Sequence, residues 1–169
     1  MRPPTLLELA HANHVRLPDA LTGPAPPKLR TTDERGWFRF QRLYDIARSV
    51  IRRPADVRRV VLEAAQDDAA DGARWLEMQV DPSGYHGFGG ITAFLELVLD
   101  AAASASKQTG LGIGIVVSAN RTRHPLDART LARLAAHYAG RGVVGFGLTN
   151  DERRGVTAEF APAFRIARE

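Results

Sequence analysis

Leu111-Gly-Ile-Gly-Ile-Val-Val117 and Val143-Val-Gly-Phe-Gly-Leu148 are short apolar runs rich in β-branched residues. Each reads as a buried strand, since such runs fit a sheet covered by helices. Residues 126–140 lie between them and carry helical periodicity. A helix joining two strands is the connection that parallel pairing requires. Working back, residues 91–107 predict a helix with Phe94, Leu95, Val98 and Leu99 on its apolar face. Arg74-Trp-Leu-Glu-Met-Gln-Val80 predicts a strand with partial alternation. Strands alternating with helices in this way define an α/β fold with a parallel sheet. The expectation is a partial (β/α)₈ barrel with about three parallel strands and flanking helices, since a whole barrel takes about 250 residues. The rival is a complete small doubly wound domain with helices on both sheet faces, which pattern alone does not separate from it.

The first 72 residues read as mainly helical and residues 73–169 as βα repeats, together one partial domain. Pro3 and Pro4 open a short helix, where a missing N–H is tolerated. Residues 17–36 are rich in Pro, Gly and Thr and read as loop. Residues 37–52 predict a helix with Phe40, Leu43, Tyr44, Ala47 and Val50 at helical spacing. Pro54 opens another over residues 55–71, with Val57, Val60, Val61 and Ala64 on one face and Gly72 as its stop. Residues 81–90 are turn-rich, and a helix begins near Phe160.

Composition narrows the function classes. An apolar content of 44% with 25% charged residues is globular. With no cysteine there is neither a disulfide framework nor a thiolate zinc site. No apolar run approaches the roughly 20 residues of a membrane span, and no signal core follows Arg2, so a cytoplasmic protein without membrane partners is expected. The net charge is +4. Its arginines are interleaved with acids, as in Asp56-Val-Arg-Arg59 and Asp127-Ala-Arg129, which suits solvated helix faces rather than a nucleic-acid stripe.

Few residues form a recognisable chemical constellation. His11 and His14 are three apart, whereas a helical zinc pair is four apart with a Glu between. His124 and His86 stand alone in loops, where a local hydrogen bond is the ordinary role. Gly112-Ile-Gly114 and Gly145-Phe-Gly147 lack the third glycine of a dinucleotide loop and lie inside strands, so close backbone packing is expected there. Ligands bind at the carboxyl ends of parallel strands. Those ends carry Gln79 and Asp81, then Asn120, Arg121 and Arg123, then Thr149-Asn-Asp-Glu-Arg-Arg154. They are either a site or solvated loops.

Four segments, in order, resemble the adenosine deaminase family of zinc-dependent aminohydrolases. Arg2-Pro-Pro-Thr-Leu-Leu-Glu-Leu-Ala10 resembles the helix after that family's first strand, and Phe40-Gln-Arg-Leu-Tyr-Asp45 its Phe-x-x-x-Phe-Asp segment. Trp75-Leu-Glu-Met-Gln-Val-Asp-Pro82 is similar to its Glu-Val-Arg-x-x-Pro strand, and Gly145-Phe-Gly-Leu-Thr-Asn-Asp-Glu152 to Gly-x-Asp-Leu-Ala-Gly-Asp-Glu. The resemblance implies a (β/α)₈ barrel, one zinc ion and hydrolytic deamination at C6 of a purine. It implies no catalytic or metal-binding residue in this chain, because the family's His-x-His and His-Ala-Gly-Glu motifs are not in it. The chain is therefore expected to be a fragment, inactive alone and binding no zinc alone. The resemblance makes Phe40 and Tyr44 the aromatic pair over the purine, and Asn150 the counterpart of a Gly whose backbone N–H contacts a ring nitrogen. The alternative for Phe40 and Tyr44 is helix core. Gln79 departs from the family's Arg, Gly147 from its Asp and Asn150 from its Gly, so a related purine or nucleoside is as open as adenosine. The other function class is a non-catalytic module that self-associates through unpaired strand edges or pairs with a complementary half-barrel.

Overall fold

The computed structural model describes residues 1–23 and 35–168. The part of the predicted 17–36 loop at 24–34 lies outside the described residues; its earlier part contains a helical turn, α2 (Asp19–Thr22). α1 is Pro3–Ala12, α3 Gly36–Arg48 and α4 Pro54–Ala70. β1 (Trp75–Val80), α5 (Ile91–Thr109), β2 (Gly112–Asn120), α6 (Pro125–His137) and β3 (Val143–Thr149) then alternate, and α7 (Ala161–Arg168) follows.

The three strands form one parallel sheet in the order β1-β2-β3. Parallel crossovers are right-handed, so strands added in one direction place their connecting helices on one face. A doubly wound sheet instead reverses its strand order and covers both faces. The burial pattern agrees with single winding. Leu76, Met78 and Val80 of β1 and Ile115, Val117 and Ala119 of β2 join α4, α5, α6 and α7 in one apolar core. The alternate residues of β1, Trp75, Glu77 and Gln79, are exposed on the opposite face. No described helix replaces solvent over Trp75, which stays 54% exposed, or over Val144 of β3, 49% exposed.

The strand glycines serve close packing. A Cβ on Gly112 would come within 2.5 Å of the Trp75 indole, and one on Gly114 within 2.6 Å of Val144. The indole therefore lies flat across β2, which a side chain at either glycine would prevent.

A second apolar cluster joins Leu6, Leu9 and Ala10 of α1 to Val50. Buried polar contacts lock the same junction. Thr5 Oγ1 donates to the Glu63 carboxylate at 2.7 and 2.8 Å, and Arg59 Nε reaches Glu63 at 2.9 Å. Asn13 Nδ2 donates to the Val50 carbonyl at 2.7 Å and to Asp56 at 3.1 Å.

The sequence placed Val50 at the end of the α3 helix, but α3 stops at Arg48. Arg53, just before Pro54, is extended at φ −124° and ψ 153°, as a residue preceding proline must be to avoid the ring. The chain turns there, and Val50 is buried in the junction instead of on the helix. Phe40 and Tyr44 are also not helix core, for α3 buries only Gly36. On α4 the buried face is Val57, Val61 and Ala65 rather than Ala64.

Candidate ligand site at the strand ends

A cavity of about 310 Å³ opens at the carboxyl end of the sheet. β1 contributes Gln79 and Val80, with Asp81 just beyond; β2 contributes Ser118 and Asn120; β3 contributes Thr149, with Asn150 beyond. α3 overhangs them with Trp37, Phe40, Gln41, Tyr44, Asp45 and Arg48. The amphipathic pattern of α3 thus faces a void. Phe40 is 38% and Tyr44 51% exposed. Trp37 and Phe40 meet with ring centroids 5.8 Å apart, so the wall is a tilted aromatic cluster.

α3 is tied to the body through Arg48. Its Nη1 donates to the Gly84 carbonyl at 2.6 Å, its Nε to Asp45 at 3.0 Å, and its guanidinium lies 5.6 Å over the Tyr85 ring. Tyr85 stacks on Phe94 of α5 at 4.1 Å. Burial, with smaller contributions from Tyr44 and Asp81 against an opposing Arg48, pushes the Tyr85 hydroxyl up to about 12. It stays neutral at physiological pH and serves as wall.

The opposite wall is the β3 end. Asn150 has φ +83°, and its Oδ1 accepts from the Asp151 N–H at 2.7 Å. Asp151 is buried and held by Arg153, Nε to Oδ1 at 2.9 Å and Nη2 to Oδ2 at 3.1 Å. The Arg153 side chain, then its backbone N–H, holds the Asp151 carboxyl below the usual carboxylate range despite burial. On the middle strand end, Asn120 Oδ1 accepts from the Thr122 N–H and hydroxyl at 2.9 and 2.8 Å.

Phe40, Tyr44 and Asn150 therefore line one cavity, with Gln79, Asp81, Asn120 and Arg123 around them. Arg121, Glu152 and Arg154 do not line it; Arg121 instead reaches the Glu152 carbonyl, pinning one strand-end loop to the next. Trp37, Arg48, Tyr85 and Ser118 were not singled out from the sequence. Ser118 was within reach, two residues before Asn120 on a strand and hence on the same face.

The histidines do not converge. His11 and His14 are exposed at the end of α1, and His124 caps α6 by accepting the Leu126 N–H at Nδ1, 3.1 Å. His86 lines a neighbouring cavity of about 370 Å³ that shares Arg48 and Tyr85 with the first. Among the described residues no three His, Cys, Asp or Glu side chains come together to hold a metal. They do not fit a zinc site.

A singly wound parallel sheet with a concave site at its strand ends is the plan of a (β/α)₈-barrel enzyme. Comparison with known proteins defines the family. The chain belongs to the adenosine deaminase family, whose profile matches residues 1–169. A Streptomyces virginiae protein provisionally named adenosine/adenine deaminase is 64% identical over 170 residues, covering 100% of this chain and 50% of that protein. The chain thus spans about half the length of the curated relatives it matches. Arabidopsis ADAL in complex with IMP superposes with a TM-score of 0.77 at 22% identity, over 99% of this chain and 51% of that one. An amidohydrolase from Burkholderia ambifaria with bound Zn gives 0.76 at 20% identity, over 99% and 46%. At such identity the likeness concerns the fold. Among the described residues no helix is long and apolar enough to cross a membrane.

Proposed function

We propose that residues 1–169 form the base-recognising part, one folded unit, of a cytoplasmic hydrolytic deaminase acting on adenosine, adenine or a related purine. The observation that carries this reading is the shared cavity of Phe40, Tyr44 and Asn150 at the strand ends. A flat base rests its face on the α3 aromatics, and the backbone at Asn150 supplies a donor from the other wall. Family membership and the name of the Streptomyces relative support a purine substrate, as does the IMP held by ADAL.

In this reading zinc, which activates the attacking water in such enzymes, is held by other segments. The described residues offer it no ligand set. The isolated chain therefore binds the base and orients it, but performs no turnover. The test uses the purified chain with adenosine or adenine and added zinc. We expect ligand-dependent NMR shifts in the millimolar range and no ammonia release. Chelator-sensitive turnover overturns the assignment of chemistry to other segments, and absence of any binding overturns the base-recognition role.

A further inference from the structure

Below the rim of the cavity, Ser118 is wholly buried, and its Oγ has no hydrogen-bond partner among the described residues. A buried hydroxyl left unpaired destabilises a fold, so its presence calls for a cause. Ser118 lines the cavity. It precedes Asn120, at the end of β2, by two residues on the same face, which at about 3.3 Å per residue puts it roughly 7 Å beneath the rim. Its partner in the register on β3 is Gly147, which has no side chain to meet the hydroxyl. The Gln79 amide lies beside that gap, since a Cβ on Gly147 would stand 3.0 Å from Gln79 Nε2. Two acceptors of the rim are already engaged. Asp81 Oδ1 accepts from the Ser83 N–H and hydroxyl at 2.9 and 2.6 Å, and Asn120 Oδ1 from its own turn. A neutral, unpartnered hydroxyl thus lies just under the cavity floor, closed off from solvent beside a neutral amide.

We propose that the Ser118 hydroxyl recognises the heteroatom edge of a flat nitrogen heterocycle and sets how deep the ring sits. This rests on the purine reading above. The depth matters to the assignment. A ring edge inserted between α3 and the end of β3 reaches Ser118, while a sugar attached to the ring stays at the rim. A ring that reaches Ser118 displaces the Gln79 amide, which lies over Gly147, and the hydroxyl then rotates to donate to a ring nitrogen or accept from an amino group.

The test compares the wild-type chain with Ser118→Ala and Ser118→Cys, measuring the Tm and the NMR-titrated Kd for adenine and for adenosine. We expect Ser118→Ala to raise the Tm by about 2–4 °C, because an unpaired buried hydroxyl is removed. We expect it to weaken both ligands equally, about 3- to 10-fold. Ser118→Cys, close in size with a weaker donor, falls between. This opposition of stability and affinity is what a packing role does not produce. A lower Tm for Ser118→Ala means the hydroxyl has an internal partner and overturns the proposal. So does an unchanged Kd, or a loss confined to adenosine, which would place the contact at the sugar. If the wild-type chain binds neither ligand, the purine reading itself fails and this proposal with it.

Discussion

Asn150 stands where the backbone bends back over the cavity, at φ +83°. Left-handed backbone costs an ordinary L-residue about 1–2 kcal/mol, and asparagine less, because its short amide bonds locally. Here it does so through Oδ1 and the Asp151 N–H. Asn150→Ala should lower stability by about 1 kcal/mol in urea unfolding, while Asn150→Gly should stay within about 0.5 kcal/mol. Phe40 and Tyr44 make the complementary case. A buried aromatic truncated to Ala costs about 3–5 kcal/mol of stability, but these two are substantially exposed. Phe40→Ala and Tyr44→Ala should each leave the urea midpoint nearly unchanged and weaken purine binding by about 1–3 kcal/mol, the worth of base stacking on an aromatic platform. The sequence showed that the pair shares a helix face. It did not show whether that face met core or cavity, because spacing four apart is the same for both.

The α1–α4 junction depends on two buried carboxylates. Burial alone would raise the Asp56 carboxyl, but the Arg52 and Arg53 N–H groups, each 3.0 Å away, with Asn13 and the Arg53 side chain, outweigh it and hold it below its usual range. Glu63 is likewise lowered, Thr5 and Arg59 outweighing its burial. A carboxylate depressed in the folded state stabilises fully above its unfolded pKa, about 4. That contribution is lost as pH falls through the depressed values. Acid below about pH 4 should therefore release α1 from α4, read as rising amide exchange over Pro3–Ala12 before the strands open. Asp56→Ala should cost about 1–3 kcal/mol at neutral pH. The loop after β3 depends on Gly155, at φ +72°, where a Cβ would stand 2.4 Å from the Arg121 carbonyl oxygen. Strain and collision add, so Gly155→Ala should cost about 2–5 kcal/mol in thermal unfolding. Element order was legible because each strand and helix has its own period. Element ends were less so. β2 continues through Ser118, Ala119 and Asn120, which are weak strand formers, because β3 pairs with them.

At the scale of the whole molecule, strand and helix patterns are the same for barrel and doubly wound sheets. What separates them is the order in which strands are added, a long-range property that no local period carries. Away from the strand ends, the order β1-β2-β3 leaves one sheet face without a covering helix among the described residues. Trp75 and Val144 meet across Gly114 on that face, a large apolar contact still half exposed. β1 and β3 each pair with a single neighbour among the described strands. Unpaired edges beside exposed apolar surface seek partners. This favours the second reading of the chain, as a unit that associates with itself or with a complementary half-barrel. The two readings are compatible, since such association would cover that face while the cavity opens at the strand ends. The purified chain should elute as a dimer or larger species at micromolar concentration, with Trp75 emission shifting to the blue as concentration rises. Trp75→Lys and Val144→Lys should each move the population toward monomer without unfolding it, because both side chains already tolerate solvent. A monomer at all concentrations, with Trp75 emission constant, would mean that the face is stable in water and that edge pairing plays no part in this protein.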